Sequence, residues 1–236
     1  MSQPDPQPAE IVVEVCTGSL EGARIAESSG ADRIELNSAL ELDGLTPSAG
    51  LVQLVSRAVR IPVIAMARPR AGNFNYSESE WETLVSDVRW LLSEGVAGIA
   101  FGCLDENQQV DSQRCKEIRD LAGSREVVFH KAFDDVADWR LGIQRLIDSG
   151  INRVMTSGQK DKAEDGLDIL GELVKLAAGR IEVLPAGGIN SKNATKIVNQ
   201  TGCDQIHGSF TANGGSGIGP EIQRTIDQLA IRSIAH

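Results

Sequence analysis

The strongest constraint on this sequence is a regular alternation of short apolar runs with amphipathic stretches. The stretch after each run carries apolar residues near positions i, i+3, i+4 and i+7, the spacing of a helix with one buried face. Strands joined through helices are parallel, and eight such units can close into a barrel. The predicted strands are Ile11–Val15, Arg33–Leu36, Pro62–Ala67, Gly98–Phe101, Glu126–Phe129, Arg153–Thr156, Ile181–Leu184 and Gln205–His207.

We therefore predict an α/β fold of the (β/α)8 TIM-barrel class, as one domain over residues 10–236. An open, doubly wound sheet is the alternative, because one sequence cannot show that a sheet closes. The usual Gly-x-Gly-x-x-Gly fingerprint of that fold is absent after the first predicted strand. Residues 1–9 contain Pro4, Pro6 and Pro8 in a polar setting, which predicts a disordered N-terminal tail.

The charge balance excludes several kinds of partner. The chain has 23 basic and 33 acidic residues, a net charge of −10, whereas nucleic-acid and anionic-membrane binders present a basic face. No apolar run is long enough to span a membrane, and the first residues lack a signal-peptide pattern. We expect a cytoplasmic protein with reduced, mutually distant thiols at Cys16, Cys103, Cys115 and Cys203.

Polar residues recur where the predicted strands end, and in TIM barrels that end carries the active face. Two interpretations stay open: a buried layer in which Arg68 pairs with the glutamates, or a polar ligand pocket. In both, we expect a direct contact between a carboxylate and the Arg68 guanidinium. The candidate catalytic residues are Glu14, Glu35, Arg68, His130 and His207, with His130 or a glutamate as general base.

An anion-binding corner is predicted after the seventh and eighth strands. Gly187 and Gly188 precede a helix predicted over Ser191–Gln200, and helix N-termini favour anions. Ser209 follows the eighth strand, and Lys131 could hold anionic oxygens. The alternative is a pair of tight turns that need glycine for their backbone conformation alone.

Cys16 is the candidate metal ligand, because it ends the first strand beside Glu14 and a thiolate suits a soft ion such as Cu(I). A single cysteine cannot make a tight Cu(I) site by itself. Only Met66 and the two internal histidines are placed to join it.

Several ordered motifs between about residue 11 and residue 210 resemble the signature segments of the CutC family, whose members are described as taking part in copper homeostasis. The resemblance implies a TIM barrel, a cytoplasmic setting and a homo-oligomer, usually a dimer. Cys16 matches a cysteine of the family, whereas Asn37 stands where the family often has a second one, so a two-thiolate Cu(I) site is not available. The motifs are Glu14–Cys16, Gly30–Leu36, Gly44–Ser48, Arg68–Phe74, Tyr76-Ser77, Phe129–Asp134 and Thr156–Gly158.

Two hypotheses for function follow. The first is a CutC-like protein of copper homeostasis, with copper, as Cu(I), as the candidate ligand. The second is a TIM-barrel enzyme acting on a small anionic or phosphorylated metabolite at the strand C-terminal face. The expected partners are a metal ion or small anionic ligand and a second copy of the chain, and the sequence leaves open whether the protein is an enzyme.

Overall fold

The structure is a computed structural model that describes residues 11–211 and 218–234. The predicted tail over residues 1–9 lies outside the described residues. Eight strands form one parallel sheet in the order β7-β6-β5-β4-β3-β2-β1-β8. They are β1 Val12–Thr17, β2 Arg33–Leu36, β3 Val63–Met66, β4 Gly98–Phe101, β5 Glu126–Phe129, β6 Arg153–Thr156, β7 Glu182–Pro185 and β8 Gln205–Gly208.

The pairing of the last strand with the first curls the sheet into a nearly closed barrel. β8 pairs with β1 in parallel, and the described backbone ladder is interrupted only between β7 and β8. At that seam the Gln205 side-chain amide donates to Glu182 Oε2 over 3.2 Å. The TIM-barrel prediction is confirmed, and the doubly wound alternative is wrong because the strand order contains no reversal.

A helix follows each strand and covers the outside of the barrel. Side-chain oxygens of Ser19, Ser48, Ser77, Asp111 and Asp138 accept hydrogen bonds from the first free backbone N–H groups of their helices. The helices are α1 Leu20–Ser28, α2 Ala49–Ala58, α3 Glu78–Ser93, α4 Ser112–Ala122, α5 Trp139–Asp148, α6 Leu167–Ala177, α7 Ala194–Thr201 and α8 Ile218–Ile234. Among the described helices, none has the length and apolar character needed to cross a membrane.

The barrel interior is apolar on one side and charged on the other. β3 to β7 contribute an apolar cluster inside the barrel, separate from the larger core between strands and helices. The opposite wall, formed by β8, β1 and β2, carries buried charged side chains, and at the N-terminal end β6 also contributes one, Arg153. The inner apolar cluster consists of Ile64, Met66, Ala100, Val128, Met155, Leu184 and Ala186.

A network of charges closes the N-terminal end of the barrel. Arg153, which is 2% exposed, reaches Glu126 over 2.9 Å and Glu182 over 2.7 Å. Arg33 donates to the Gln205 side-chain oxygen over 2.8 Å. Buried charges are tolerated when they are paired in this way. Arg33 also pairs with the Glu14 carboxylate, so the network extends toward the C-terminal end of the barrel.

Gly98 tests how tightly the interior is packed. A Cβ atom at Gly98 would lie 2.6 Å from the backbone oxygen of Glu126 and 2.8 Å from Ile64 Cδ1. We expect Gly98→Ala to lower the free energy of unfolding by about 1–3 kcal/mol, measured by urea unfolding. The matched control is Gly50→Ala on α2, where an added Cβ meets no atom of the described residues within 4 Å. Equal stability of the two variants would contradict this packing.

Candidate metal centre at the barrel mouth

The register of three neighbouring strands brings the central side chains together. Glu14 on β1 is the register partner of His207 on β8 and of Arg33 on β2, and Cys16 is opposite Glu35. His207 Nδ1 lies 2.7 Å from Glu14 Oε1, and His207 Nε2 lies 3.7 Å from Glu35 Oε2. Both glutamates are almost fully buried. One imidazole therefore stands between two carboxyl groups.

At the mouth of the barrel, the contact between a guanidinium and a buried carboxylate is made by Arg33 and not by Arg68. Arg33 Nε donates to Glu14 Oε2, which the register of β1 and β2 explains. Arg68 lies beyond the end of β3 and donates to the backbone oxygens of Leu42, Gly44 and Gly72. The expected Arg68 ion pair is therefore wrong. Arg68 instead orders the loops that surround the mouth.

Hydrogen bonding and charge set the ionisation of Glu14 and His207. Burial alone would raise the pKa of Glu14, but the hydrogen bond to His207 and the charge of Arg33 lower it to about 2. Burial would lower the pKa of His207, but the charges of Glu35 and Glu14 raise it above its ordinary value. The pKa of Glu35 is raised by burial and by repulsion from Glu14. Glu14 therefore stays ionised, and its hydrogen bond to Nδ1 orients the His207 imidazole.

Asn37 connects Cys16 to Glu35. Its Nδ2 donates to Glu35 Oε2 over 2.8 Å and to Cys16 Sγ over 3.4 Å. Gly44, at φ +85°, allows this arrangement, since a Cβ there would lie 2.4 Å from Asn37 Oδ1. Burial and the neighbouring carboxylate of Glu35 raise the pKa of the Cys16 thiol. The Cys16 thiol is therefore protonated unless a bound metal ion displaces the proton.

The cluster has the composition and spacing of a metal site. One ligand atom from each of Cys16, Glu35 and His207 lies within 4.8 Å of the others. Because His207 Nδ1 is engaged by Glu14, its Nε2 is the nitrogen that faces the cluster. A carboxylate behind a ligating histidine is the usual second layer of protein metal sites. Glu35 Oε1 is buried and has no hydrogen-bond partner among the described residues, so this oxygen can bind an ion.

His130 is a neutral hydrogen-bond donor at the same mouth. Its Nδ1 accepts from the Ala132 backbone N–H over 3.1 Å, so its proton is on Nε2, which has no partner among the described residues. Burial, with the charge of Arg68 adding to it, lowers the pKa of His130 to about 3. The Phe74 ring lies 5.0 Å from the imidazole. In this tautomer Nε2 donates, so the arrangement does not favour the predicted role of general base.

The structure separates the predicted anion-binding residues. Lys131 and Ser209 line the cleft, with Lys131 Nζ 3.9 Å from an Asp134 oxygen. Gly187 and Gly188 are not among the residues that line it, and both have positive φ, +101° and +69°. α7 begins only at Ala194, so this turn is not a helix N-terminus. These observations fit the tight-turn alternative, and anion binding at Gly187 and Gly188 stays a prediction without geometric support.

The mouth opens into a cleft of about 1020 Å³, at the upper limit of the size range of small-ligand sites. Glu35, Arg68, His130 and His207 all line it, with Glu14 directly beneath His207. Carboxylates outnumber cations among the lining residues, which favours a cation over an anion. The acidic residues are Glu35, Glu41, Asp43, Asp134, Asp135 and Asp161, and the basic ones are Arg68, Lys131 and Lys160.

The remaining cysteines are buried away from the cleft and are free. Cys103 and Cys115 interact side by side, and this contact adds to burial in raising the pKa of Cys103. The expectation that all thiols are mutually distant is therefore wrong for this pair. Cys103 lies just after the end of β4 and Cys115 lies on α4, a juxtaposition that their spacing in the sequence did not indicate.

Fold and site together define a single-domain (β/α)8 barrel with a thiol, a carboxylate and an imidazole at its mouth. Residues 11–212 match the CutC family. A CutC protein of Treponema denticola is 47% identical over 84% of this chain and 80% of its own length. The human copper homeostasis protein cutC homolog is 40% identical over 88% of this chain and 76% of its own length. The chain belongs to the CutC family.

Solved structures agree with this assignment. The crystal structure of a copper homeostasis protein CutC from Streptococcus agalactiae matches with a TM-score of 0.80 and 27% identity, over 84% of this chain and 98% of that one. Thiamine phosphate pyrophosphorylase from Pyrococcus furiosus matches with a TM-score of 0.65 at 15% identity, over 94% of this chain and 96% of that one. The second likeness shows the fold alone.

His130 predicts a specific pH dependence of stability. Between pH 6.5 and about 3, the unfolded chain binds a proton at this imidazole and the folded chain does not, so folding is penalised as the pH falls. Replacing His130 with phenylalanine removes this penalty. We expect the free energy of unfolding of His130→Phe to decline less steeply than that of the wild type, by about 1.4 kcal/mol per pH unit. Urea unfolding at pH 6, 5 and 4 measures this, and parallel curves would contradict it.

Proposed function

We propose that this chain serves copper homeostasis as a metal-binding barrel that holds a metal ion at Cys16, Glu35 and His207. The relatives from human, mouse and Caenorhabditis elegans are named copper homeostasis proteins. The observation that carries the proposal is the Glu14–His207 hydrogen bond of 2.7 Å, which leaves Nε2 facing a thiol and a carboxylate.

Each residue has a definite part in this proposal. Cys16 supplies a thiolate after its proton is displaced, and His207 supplies Nε2. Glu35 supplies an oxygen, steadied by the amide of Asn37. Glu14 accepts the Nδ1–H of His207 and is itself held by Arg33, so both act on the ion by positioning the imidazole. Because the thiol must lose its proton, affinity falls as the pH is lowered.

Copper fits part of this ligand set. Thiolate and imidazole are both copper ligands, and Cu(I) in particular favours the thiolate. The acidic rim of the cleft supports attraction of a cation from solution. A small anionic ligand would depend on Lys131, Lys160 and the Nε2–H of His130, against the surplus of carboxylates. The metal ion is therefore the better-supported ligand.

The setting and assembly of the protein belong to the same proposal. All four cysteines are free, which is typical of a reducing compartment and supports a cytoplasmic location. The resemblance to the family supports a homodimer. The proposal treats the barrel as a binding protein and needs no reaction at the mouth.

Metal binding by the full-length chain tests this function. Equilibrium dialysis with copper under reducing conditions, against a competing chelator, should show one ion per chain at the site. We expect Cys16→Ala and His207→Ala to abolish this binding, and Glu14→Gln to weaken it by about 10–100-fold, because the imidazole loses its anchor.

Cys203→Ala is the matched control, since Cys203 is a buried thiol remote from the cleft lining. It should bind the ion like the wild type. Circular dichroism of each variant separates loss of ligands from loss of fold. Stoichiometric binding that survives in both Cys16→Ala and His207→Ala would overturn the proposed site.

A further inference from the structure

The charges of the metal cluster can be balanced residue by residue. Glu14 and Arg33 form an ion pair, and their charges cancel. A deprotonated Cys16 and an ionised Glu35 carry two negative charges, and a neutral His207 carries none. Both carboxylates are almost fully out of water, at 1% and 3% exposure. Unbalanced charge in such a place is costly, so a divalent ion suits these two anionic ligands better than a monovalent one.

The chemical types of the ligands also favour a divalent ion. Cys16, His207 and Glu35 offer one sulfur, one nitrogen and one oxygen, whereas Met66, which also lines the cleft, packs in the apolar cluster inside the barrel. Zn²⁺ and similar borderline divalent ions accept cysteine, histidine and carboxylate ligands together. Cu(I) prefers soft sulfur ligands, and a carboxylate oxygen contributes little to its affinity. A divalent ion would balance an ionised Glu35 together with the thiolate, whereas Cu(I) would balance the thiolate alone and gain nothing from Glu35 as an anionic ligand.

Asn37 lies beside Cys16, where a cysteine would add a second thiol to the cluster. Its side-chain amide lies against both proposed anionic ligands, 3.4 Å from Cys16 Sγ and 2.8 Å from Glu35 Oε2. The amide donates hydrogen bonds to these groups and adds no negative charge. A cysteine is smaller than an asparagine, so a thiol at position 37 would fit in the same space beside Cys16.

We propose that the cluster of Cys16, Glu35 and His207 is selective for a divalent ion of the Zn²⁺ type over Cu(I), and that Asn37 sets this preference. The inference rests on the metal site of the proposed function and specifies the class of ion that the site takes. Asn37 is a specificity-determining residue here, because it keeps a neutral amide where a second thiolate would favour Cu(I).

Co²⁺, Zn²⁺ and Cu(I) are the probes for this inference, each added to the full-length chain under reducing conditions. Co²⁺ bound by a thiolate has a sulfur-to-metal charge-transfer band in the near ultraviolet. We expect this band in the wild type, its loss in Cys16→Ser and its displacement by Zn²⁺. Chelator competition then gives the ratio of Zn²⁺ to Cu(I) affinity. We expect Asn37→Cys to shift this ratio toward Cu(I) by about 10–100-fold, the size of effect that a change around a metal produces.

Asn37→Ala is the matched control, because it removes the amide without adding a thiol. It should not shift the ratio toward Cu(I). Cu(I) binding at the site that Zn²⁺ and Co²⁺ cannot contest would overturn the inference and leave the proposed function intact. Binding of no ion at the cluster would overturn both. An equal ratio of Zn²⁺ to Cu(I) affinity in Asn37→Cys and Asn37→Ala would show that residue 37 does not set the preference.

Discussion

The row of side chains from Arg33 through Glu14 to His207 is the interaction on which the mouth of this barrel depends. Strand register places the three residues side by side, and two direct contacts join them. Glu14 is held as an anion by its partners, and the imidazole is oriented by Glu14. Without His207, Glu35 would face the buried carboxylate of Glu14 with no group between them.

The two-sided barrel interior explains how such a row is accommodated. The wall from β3 to β7 fills half of the barrel with apolar side chains, while β8, β1 and β2 contribute charge. Buried ion pairs repay their loss of hydration only when their geometry is good. The network around Arg153, Glu182 and Gln205 supplies that geometry at the N-terminal end. Arg33 links that network to Glu14 through Gln205, and the charged wall continues to the mouth, where Glu35 and Cys16 reach the cleft.

Local sequence patterns were sufficient to predict the fold and most of the residues at the mouth. Apolar runs alternating with helices indicated eight parallel strands, and the strand ends indicated Glu14, Glu35, His130 and His207. Register was not predictable, because it is a relation between segments that the chain pattern does not encode. Arg68 was therefore assigned the contact that Arg33 makes, although Arg33 was visible at the start of its strand. The helix predicted to start at Ser191 begins at Ala194, and this moved Gly187 and Gly188 away from any helix terminus.

Anomalous scattering from a crystal of the full-length chain loaded with Zn²⁺ would show directly whether Cys16, Glu35 and His207 bind the ion. We predict one peak at the barrel mouth, with Cys16 Sγ, His207 Nε2 and a Glu35 oxygen as ligands and with Glu14 still hydrogen-bonded to His207 Nδ1. Ligand distances should be about 2.3 Å to sulfur and about 2.0–2.2 Å to nitrogen and oxygen. A peak held by other residues, or an ion bound at the mouth without Cys16, would contradict it.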